Sequence, residues 1–407
     1  MDITTYLNSM RDPAGLPFYP TIFQILLVLT FALHITMVNV IIGGIFVAIK
    51  ELFKRTEYSL RLAKALGRVI TVSLSIAIVL GVAPLLFVQV IYDPFWYTAT
   101  TMSAFWALMF LVVITIAFYS SYGFYLGNKK ANRENAKAHW AVVAAIFVIF
   151  TALFIHMLSV EQLNPMEWKS WIVGPDGKVS FAGGEFHNIQ LGRLLHFIIP
   201  SFAVTGIFLM LYSIYFSKRD DFDKSYLEYV SKKGANLALW SSILGIASGF
   251  WWLGIIPKSF NFAQNPFFLT GAILGIMTTC YLGAAYLNPQ KYAIRSAIFM
   301  FITIFLMSCA REALRMDYMK QVGYSIFNYP LNIDWPSTIL FFATFIMGLY
   351  VLSFPIVAAF KAGQASKDEV VTINGNLAKS SVALMIAWFG IVVAIGIVVS
   401  LKNGTLF

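Results

Sequence analysis

The sequence predicts an all-α fold, a polytopic transmembrane bundle of about ten helices. Three observations predict it. Hydrophobic residues make up 59% of the 407 and charged residues only 12%, about half the charge of an ordinary soluble domain. Apolar stretches of about 20 residues recur along the whole chain, each long enough to cross a hydrocarbon core of roughly 30 Å as a helix. Charge gathers in the connections between them. Open strands would leave backbone polar groups stranded in lipid, so the stretches are read as helices.

The spans are predicted at 21–50, 69–92, 101–127, 138–160, 190–216, 234–257, 266–287, 293–316, 336–360 and 379–401. Residues before the first span are polar, with Asp2, Arg11 and Asp12, and show no small-residue cleavage site, so no signal peptide is expected. The first connection carries Lys50, Lys54, Arg55, Arg61, Lys64 and Arg68. Alternate later connections carry Lys129, Lys130, Arg133 and Lys137, then Lys218, Arg219, Lys224, Lys232 and Lys233, then Lys291 and Arg295, and last Lys361 and Lys367. Those in between are poorer in cations. By the positive-inside rule the first connection is cytoplasmic and both termini face outward, across the cytoplasmic membrane of a bacterium or archaeon. Trp96, Trp168, Trp171 and Trp335 fall near the predicted outer ends, as an aromatic belt would.

The longest outer connection, 161–189, holds a turn signal at Gly174-Pro175-Asp176-Gly177. The outer link at 258–265 is short. No repeat, low-complexity tract or linker divides the chain, which reads as one integral membrane domain over 1–407. The net charge of +10 is accounted for by the positive-inside pattern, so the expected surroundings are lipid and not nucleic acid. Cys280 and Cys309 are the only cysteines. Without C-x-x-C-H no c-type haem is attached, and no cysteine iron–sulfur or zinc motif is present.

Ionisable groups inside a bilayer cost several kcal/mol unless paired, ligated or solvated. Four stand out: His34 in the first span, His156 near the outer end of the fourth, His196 near the outer start of the fifth and Glu312 about one turn from the outer end of the eighth. At ~1.5 Å of rise per residue, His156, His196 and Glu312 should lie at similar depth. Imidazole on a transmembrane helix suits an axial ligand of haem iron, because the porphyrin is apolar enough to lie between helices. The arginines Arg193, Arg311 and Arg315 near the membrane edge are candidates to pair with haem propionates. Two plainer readings stand beside this one. Histidines near helix ends also serve as interfacial hydrogen-bonding groups, and Arg311-Glu312-Arg315 also reads as an ion-pair cluster. His187 and His139 are expected at the surface. No phosphate loop and no H-E-x-x-H occurs. The helix breakers that transporters use at midplane sites are sparse, chiefly Gly81–Pro84 and Pro200.

In order along the chain, several motifs resemble subunit I of the cytochrome bd quinol oxidases. Gly192-Arg-Leu-Leu-His196 through Thr205-Gly206 is similar to the family's F-x-H-x-x-x-x-x-x-x-T-G helix. Leu163-Asn164-Pro165 looks like its Q-N-P, and Phe31-Ala-Leu-His34 resembles its N-terminal histidine helix. Gly81-Val-Ala matches the start of G-V-A-T-G, Arg311-Glu312-Ala-Leu-Arg315 sits where A-E-x-G-R is expected, and Gly348-Leu-Tyr resembles a segment of the last helix. The resemblance runs over the first nine spans and leaves 379–401 as an added helix. It implies haem b, two or three per chain, with His34 and Glu312 as ligands at a di-haem site and His196 as ligand of a low-spin haem. It implies Arg315 near propionates.

The departures matter as much. No carboxylate occurs between Asp93 and Glu134, where the family carries two helix-three glutamates, so no relay is offered for the protons that oxygen reduction consumes. The family's methionine partner of His196 is absent from Pro266-Phe-Phe-Leu-Thr-Gly271, which makes His156 a candidate replacement. The large quinol-binding loop between the sixth and seventh spans is also missing. The expectation is therefore an electron-transfer subunit of a respiratory complex without haem d. It would work with further membrane subunits, between a quinol pool and an outward-facing redox protein such as a c-type cytochrome. Alternatives are an oxygen-reducing bd-type subunit, a haem-poor anchor subunit, and an ion transporter built on Arg311, Glu312 and Arg315.

Overall fold

A computed structural model of the chain describes residues 3–174, 176–180, 182–366 and 369–405. Pro175 of the predicted turn and Lys367 of the last cationic connection lie outside the described residues. The helices are α1 (Ile3–Ser9), α2 (Pro20–Lys54), α3 (Glu57–Ile91), α4 (Asp93–Met102), α5 (Ala104–Asn128), α6 (His139–Glu161), α7 (Trp168–Ile172), α8 (Leu191–Tyr215), α9 (Lys224–Ile255), α10 (Pro266–Leu287), α11 (Pro289–Lys320), α12 (Trp335–Gln364) and α13 (Gly375–Lys402). Among the described residues ten of these are long and apolar enough to cross a membrane: all except α1, α4 and α7. The chain is a multi-pass, all-α membrane protein.

Several helices outrun their apolar stretches. The 35 residues of α3 span about 52 Å at 1.5 Å per residue, well beyond the hydrocarbon core. Arg61, Lys64 and Arg68, expected in a connection, lie in its first turns. Hydropathy marks where a helix is wet, not where it stops. The stop comes at Arg55, whose φ of 54° ends α2, followed at once by Thr56, whose side chain accepts from the Ser59 amide and starts α3. In the same way α11 starts at Pro289, capped by Asn288. The predicted third span, 101–127, is α5, and it starts three residues late: the short helix α4 runs to Met102, and Ser103, with a non-helical backbone (φ −110°, ψ 39°), separates the two.

The chain forms two compact units. The first comprises Met1–Ile214 and Ser225–Leu331. In it α2 packs along α3, α5 along α6, and α10 along α11. One end of this unit is basic, carrying Lys50, Lys54, Lys232 and Lys233. The opposite end is closed by a cluster of buried rings, among them Tyr92, Phe95, Trp168, Tyr318, Tyr324 and Tyr329. The polar N-terminal segment is part of that closure: Leu7 is fully buried, and the Leu16 amide donates to the Pro330 carbonyl at 2.9 Å. Arg11 lies over the rings of Tyr324 and Tyr329, at 4.3 and 4.6 Å, and donates to the Ser325 carbonyl.

Two surface expectations fail here. Trp168 is buried, with Nε1 donating to the Glu161 carbonyl at 2.9 Å, because α7 folds back onto Phe95. His187 is half-buried and stacked on Trp171 at 5.4 Å. Burial lowers its pKa below the ordinary value of 6.5.

The second unit comprises Tyr215–Lys224 and Asn332–Phe407. Here α12 and α13 are joined by hydrogen bonds between Tyr350 and Ser380 hydroxyls (2.7 Å) and from Trp388 Nε1 to Thr344 Oγ1 (3.2 Å). The Tyr215 hydroxyl donates to the Phe360 carbonyl at 2.7 Å. No residue of α12 is buried, and Ser381 alone is buried in α13.

Candidate haem and anion site

Two histidines in the first unit are held by the same local device. His34 Nδ1 lies 2.8 Å from the Ala77 carbonyl of α3. His196 Nδ1 lies 3.1 Å from the Gly245 carbonyl of α9, with Ser248 Oγ at 3.3 Å. A carbonyl only accepts, so each Nδ1 carries the hydrogen, and the neutral ring keeps its lone pair on Nε2. One helical turn past each carbonyl stands a glycine. A Cβ at Gly81 would come within 2.8 Å of His34 Cε1, and a Cβ at Gly249 within 2.8 Å of His196 Cε1. Helical side chains lean back over the preceding turn. Glycine at these two places therefore opens the carbonyl to a ring arriving from the side.

His196 opens onto a cavity of ≈ 210 Å³ between α2, α8, α9, α10 and α11. That volume is closer to the roughly 150 Å³ that holds a single benzene ring than to a whole macrocycle, so the fit rests on the kinds of residue present. Its walls are apolar, with Phe31, Phe197 and Trp252 among them, and Arg311 lies on the same lining. Arg311 stacks over Phe31 at 4.2 Å and its charge acts on His34. The residues suit a haem in kind: apolar walls for the macrocycle, an oriented imidazole with a free Nε2, and a guanidinium for a carboxylate. Neither His34 nor His156 lines this cavity.

Beside the cavity three arginines meet one carboxylate. Glu312 is 3% exposed, Arg315 7% and Arg193 4%. Glu312 Oε2 accepts from Arg315 Nη1 at 3.0 Å, and Oε1 accepts from the Tyr92 hydroxyl at 2.5 Å and from Gln24 Nε2 at 3.4 Å. A carboxylate oxygen accepts, so the Tyr92 hydroxyl is the donor of this bond. Both oxygens of Glu312, expected to face haem iron, are thus engaged by protein donors. Arg193 has the opposite problem: its Nε and Nη1 are buried with no partner among the described residues. Its charge acts on Arg315 and Arg311, so three cations share a single buried anion. An unpaired buried guanidinium is costly, which calls for an anion at this place.

His156 is 7% exposed, its Nε2 is buried without a partner among the described residues, and its ring is hydrogen-bonded by the Gln190 backbone. Arg193 is its charged neighbour. His139 is exposed, as expected.

Sequence reasoning missed three participants. Gln24 and Tyr92 reach Glu312 from 288 and 220 residues away, and no local pattern announces such contacts. Glu161 is fully buried, its Oε1 accepting from Ser103 Oγ at 2.8 Å and its Oε2 without a partner among the described residues. The signal for Glu161 was present, a carboxylate five residues after His156 at the end of an apolar run. No protein-family model matches this chain, and no curated protein matches it.

Proposed function

We propose that the chain is the haem b-holding electron-transfer subunit of a respiratory complex in a bacterial or archaeal cytoplasmic membrane, with both termini outside. Its electrons come from a quinol pool and leave through an outward-facing redox protein such as a c-type cytochrome, with further membrane subunits completing the complex. One observation carries the reading. His34 and His196 each have Nδ1 tied to a backbone carbonyl and a glycine cleared for the ring, the support that orients metal-binding imidazole.

When bound, haem supplies one-electron exchange at its iron. The chain's own residues then do the rest. Nδ1 hydrogen bonds hold the two imidazoles in the ligating tautomer. Arg311 on the cavity lining, and Arg193 behind Trp252, offer charge to carboxylates, and the apolar walls keep water from the macrocycle. Glu312, saturated by Tyr92, Arg315 and Gln24, serves in this reading as the counter-charge that allows three arginines to gather, not as a ligand. His156 does not line the cavity and is not seated against a glycine as His34 and His196 are, so it is left out of the ligand set. The test is a reduced-minus-oxidised spectrum of purified protein: a haem b band that His196→Ala diminishes supports the reading, and a spectrum without haem overturns it.

A second reading, an oxygen-reducing subunit, is favoured by the buried Glu161 against Ser103, which brings an acid to the start of the third span. Oxygen uptake with a quinol donor, abolished by Glu161→Gln, would favour it over electron relay.

A further inference from the structure

The basic end of the first unit carries a second cavity, of ≈ 580 Å³, between α2, α9 and α10. Its polar wall is made by Lys50, Lys232, Lys233, Tyr229 and Asn236; Val47, Leu237 and Tyr286 make the remainder. Behind the wall lies a buried support. Glu51 is fully buried. It accepts from the Tyr229 hydroxyl and is ion-paired with Lys233. Lys54 stands farther off, at 3.9 Å. One carboxylate thus fixes both a lysine and a tyrosine at the cavity edge.

The charge does not balance. Lys50, Lys54, Lys232 and Lys233 face Glu51 and Glu228. The Lys232–Glu228 pair is 2.7 Å long but 67% and 61% exposed, so it is a weak, exchangeable contact. Lys50 is exposed and has no carboxylate partner among the described residues. Immediately along the same helices the surface turns apolar, with Phe46 on α2 39% exposed and Trp240 on α9 58% exposed. A ligand here meets cations at one end and lipid-facing hydrocarbon at the other. Free phosphate would use only the first. A phosphodiester headgroup with acyl chains uses both, and basic recesses between transmembrane helices are suited to it.

We propose that this cavity is a binding site for the phosphate of an anionic phospholipid. Lys50 and Lys232 are its exchangeable contacts, and Lys233 and Tyr229 are held in place by Glu51. The proposal does not depend on the haem reading.

The test is native mass spectrometry of the full chain in detergent, with phosphatidylglycerol, phosphatidylcholine or inorganic phosphate added. Wild type should retain one phosphatidylglycerol in preference to phosphatidylcholine. The double variant Lys50→Gln/Lys232→Gln, both positions exposed, should lose that retention roughly tenfold. Lys129→Gln/Lys130→Gln, a double change of two other exposed lysines, should behave as wild type. Equal retention of the two lipids would overturn the proposal, as would equal losses in the two double variants. Displacement of phosphatidylglycerol by inorganic phosphate would make free phosphate the ligand and overturn the lipid assignment.

Discussion

Gly249 leaves open the space that the ring of His196 fills: a Cβ there would come within 2.8 Å of His196 Cε1. The Gly245 carbonyl one turn earlier receives Nδ1 of the same ring at 3.1 Å. Packing and tautomer are therefore set by the same turn of α9. Gly249→Ala should displace the ring and diminish the haem b band, and Gly81→Ala should act on His34 in the same way. Gly254→Ala is the control, because a Cβ there meets nothing within 4 Å. It should leave the spectrum intact and stabilise α9 by about 1 kcal/mol. Equal spectra in all three variants would show that the glycines do not seat ligands.

The two members of the buried ion pair should not be equivalent. Removing one partner of a buried pair costs about 3–5 kcal/mol. Glu312→Ala leaves Arg193, Arg311 and Arg315 together without a counter-charge, so its loss should fall at the upper end. Arg315→Ala leaves Glu312 still accepting from Tyr92 and Gln24 and should cost less. Thermal midpoints in detergent compare them; an equal or reversed order would contradict the surplus of positive charge.

Asp93, outside the spans, gives a pH dependence. Its Oδ1 accepts from Tyr329 and its Oδ2 from the Asp12 amide, yet burial outweighs these bonds and raises its pKa above 3.8. A raised folded pKa favours the protonated form in the fold. The contribution to stability is therefore complete below 3.8 and is lost as pH rises through the folded value. The thermal midpoint of wild type relative to Asp93→Asn should increase from about pH 7 to about pH 4. A decrease over that interval would reverse the sign.

His156 separates two ligand sets. It does not line the cavity on which His196 opens, so His156→Ala should keep the haem band that His196→Ala diminishes. Loss of the same band in both variants would restore the bis-histidine arrangement that sequence alone suggested.

The spans were legible because hydropathy has one meaning in lipid, and His34, His196 and Glu312 were legible because ionisable groups are rare there. What each of them touches was not. Glu312 reads as a ligand from its place in the resemblance, and its partners Tyr92 and Gln24, 220 and 288 residues away, have no local sign in the sequence. Arg61, Lys64 and Arg68 read as a connection in sequence, because charge marks where α3 leaves the hydrocarbon and not where its backbone starts. Arg11, read as a polar terminus, proved to be stacked on Tyr324 and Tyr329. Pairwise contacts of this kind leave no periodic trace in the chain.

The most direct measurement is the haem-to-protein ratio of the purified full chain by pyridine haemochrome. The account predicts haem b bound in stoichiometric amount, with less bound in both His34→Ala and His196→Ala. Purified, folded protein with no haem b would contradict it.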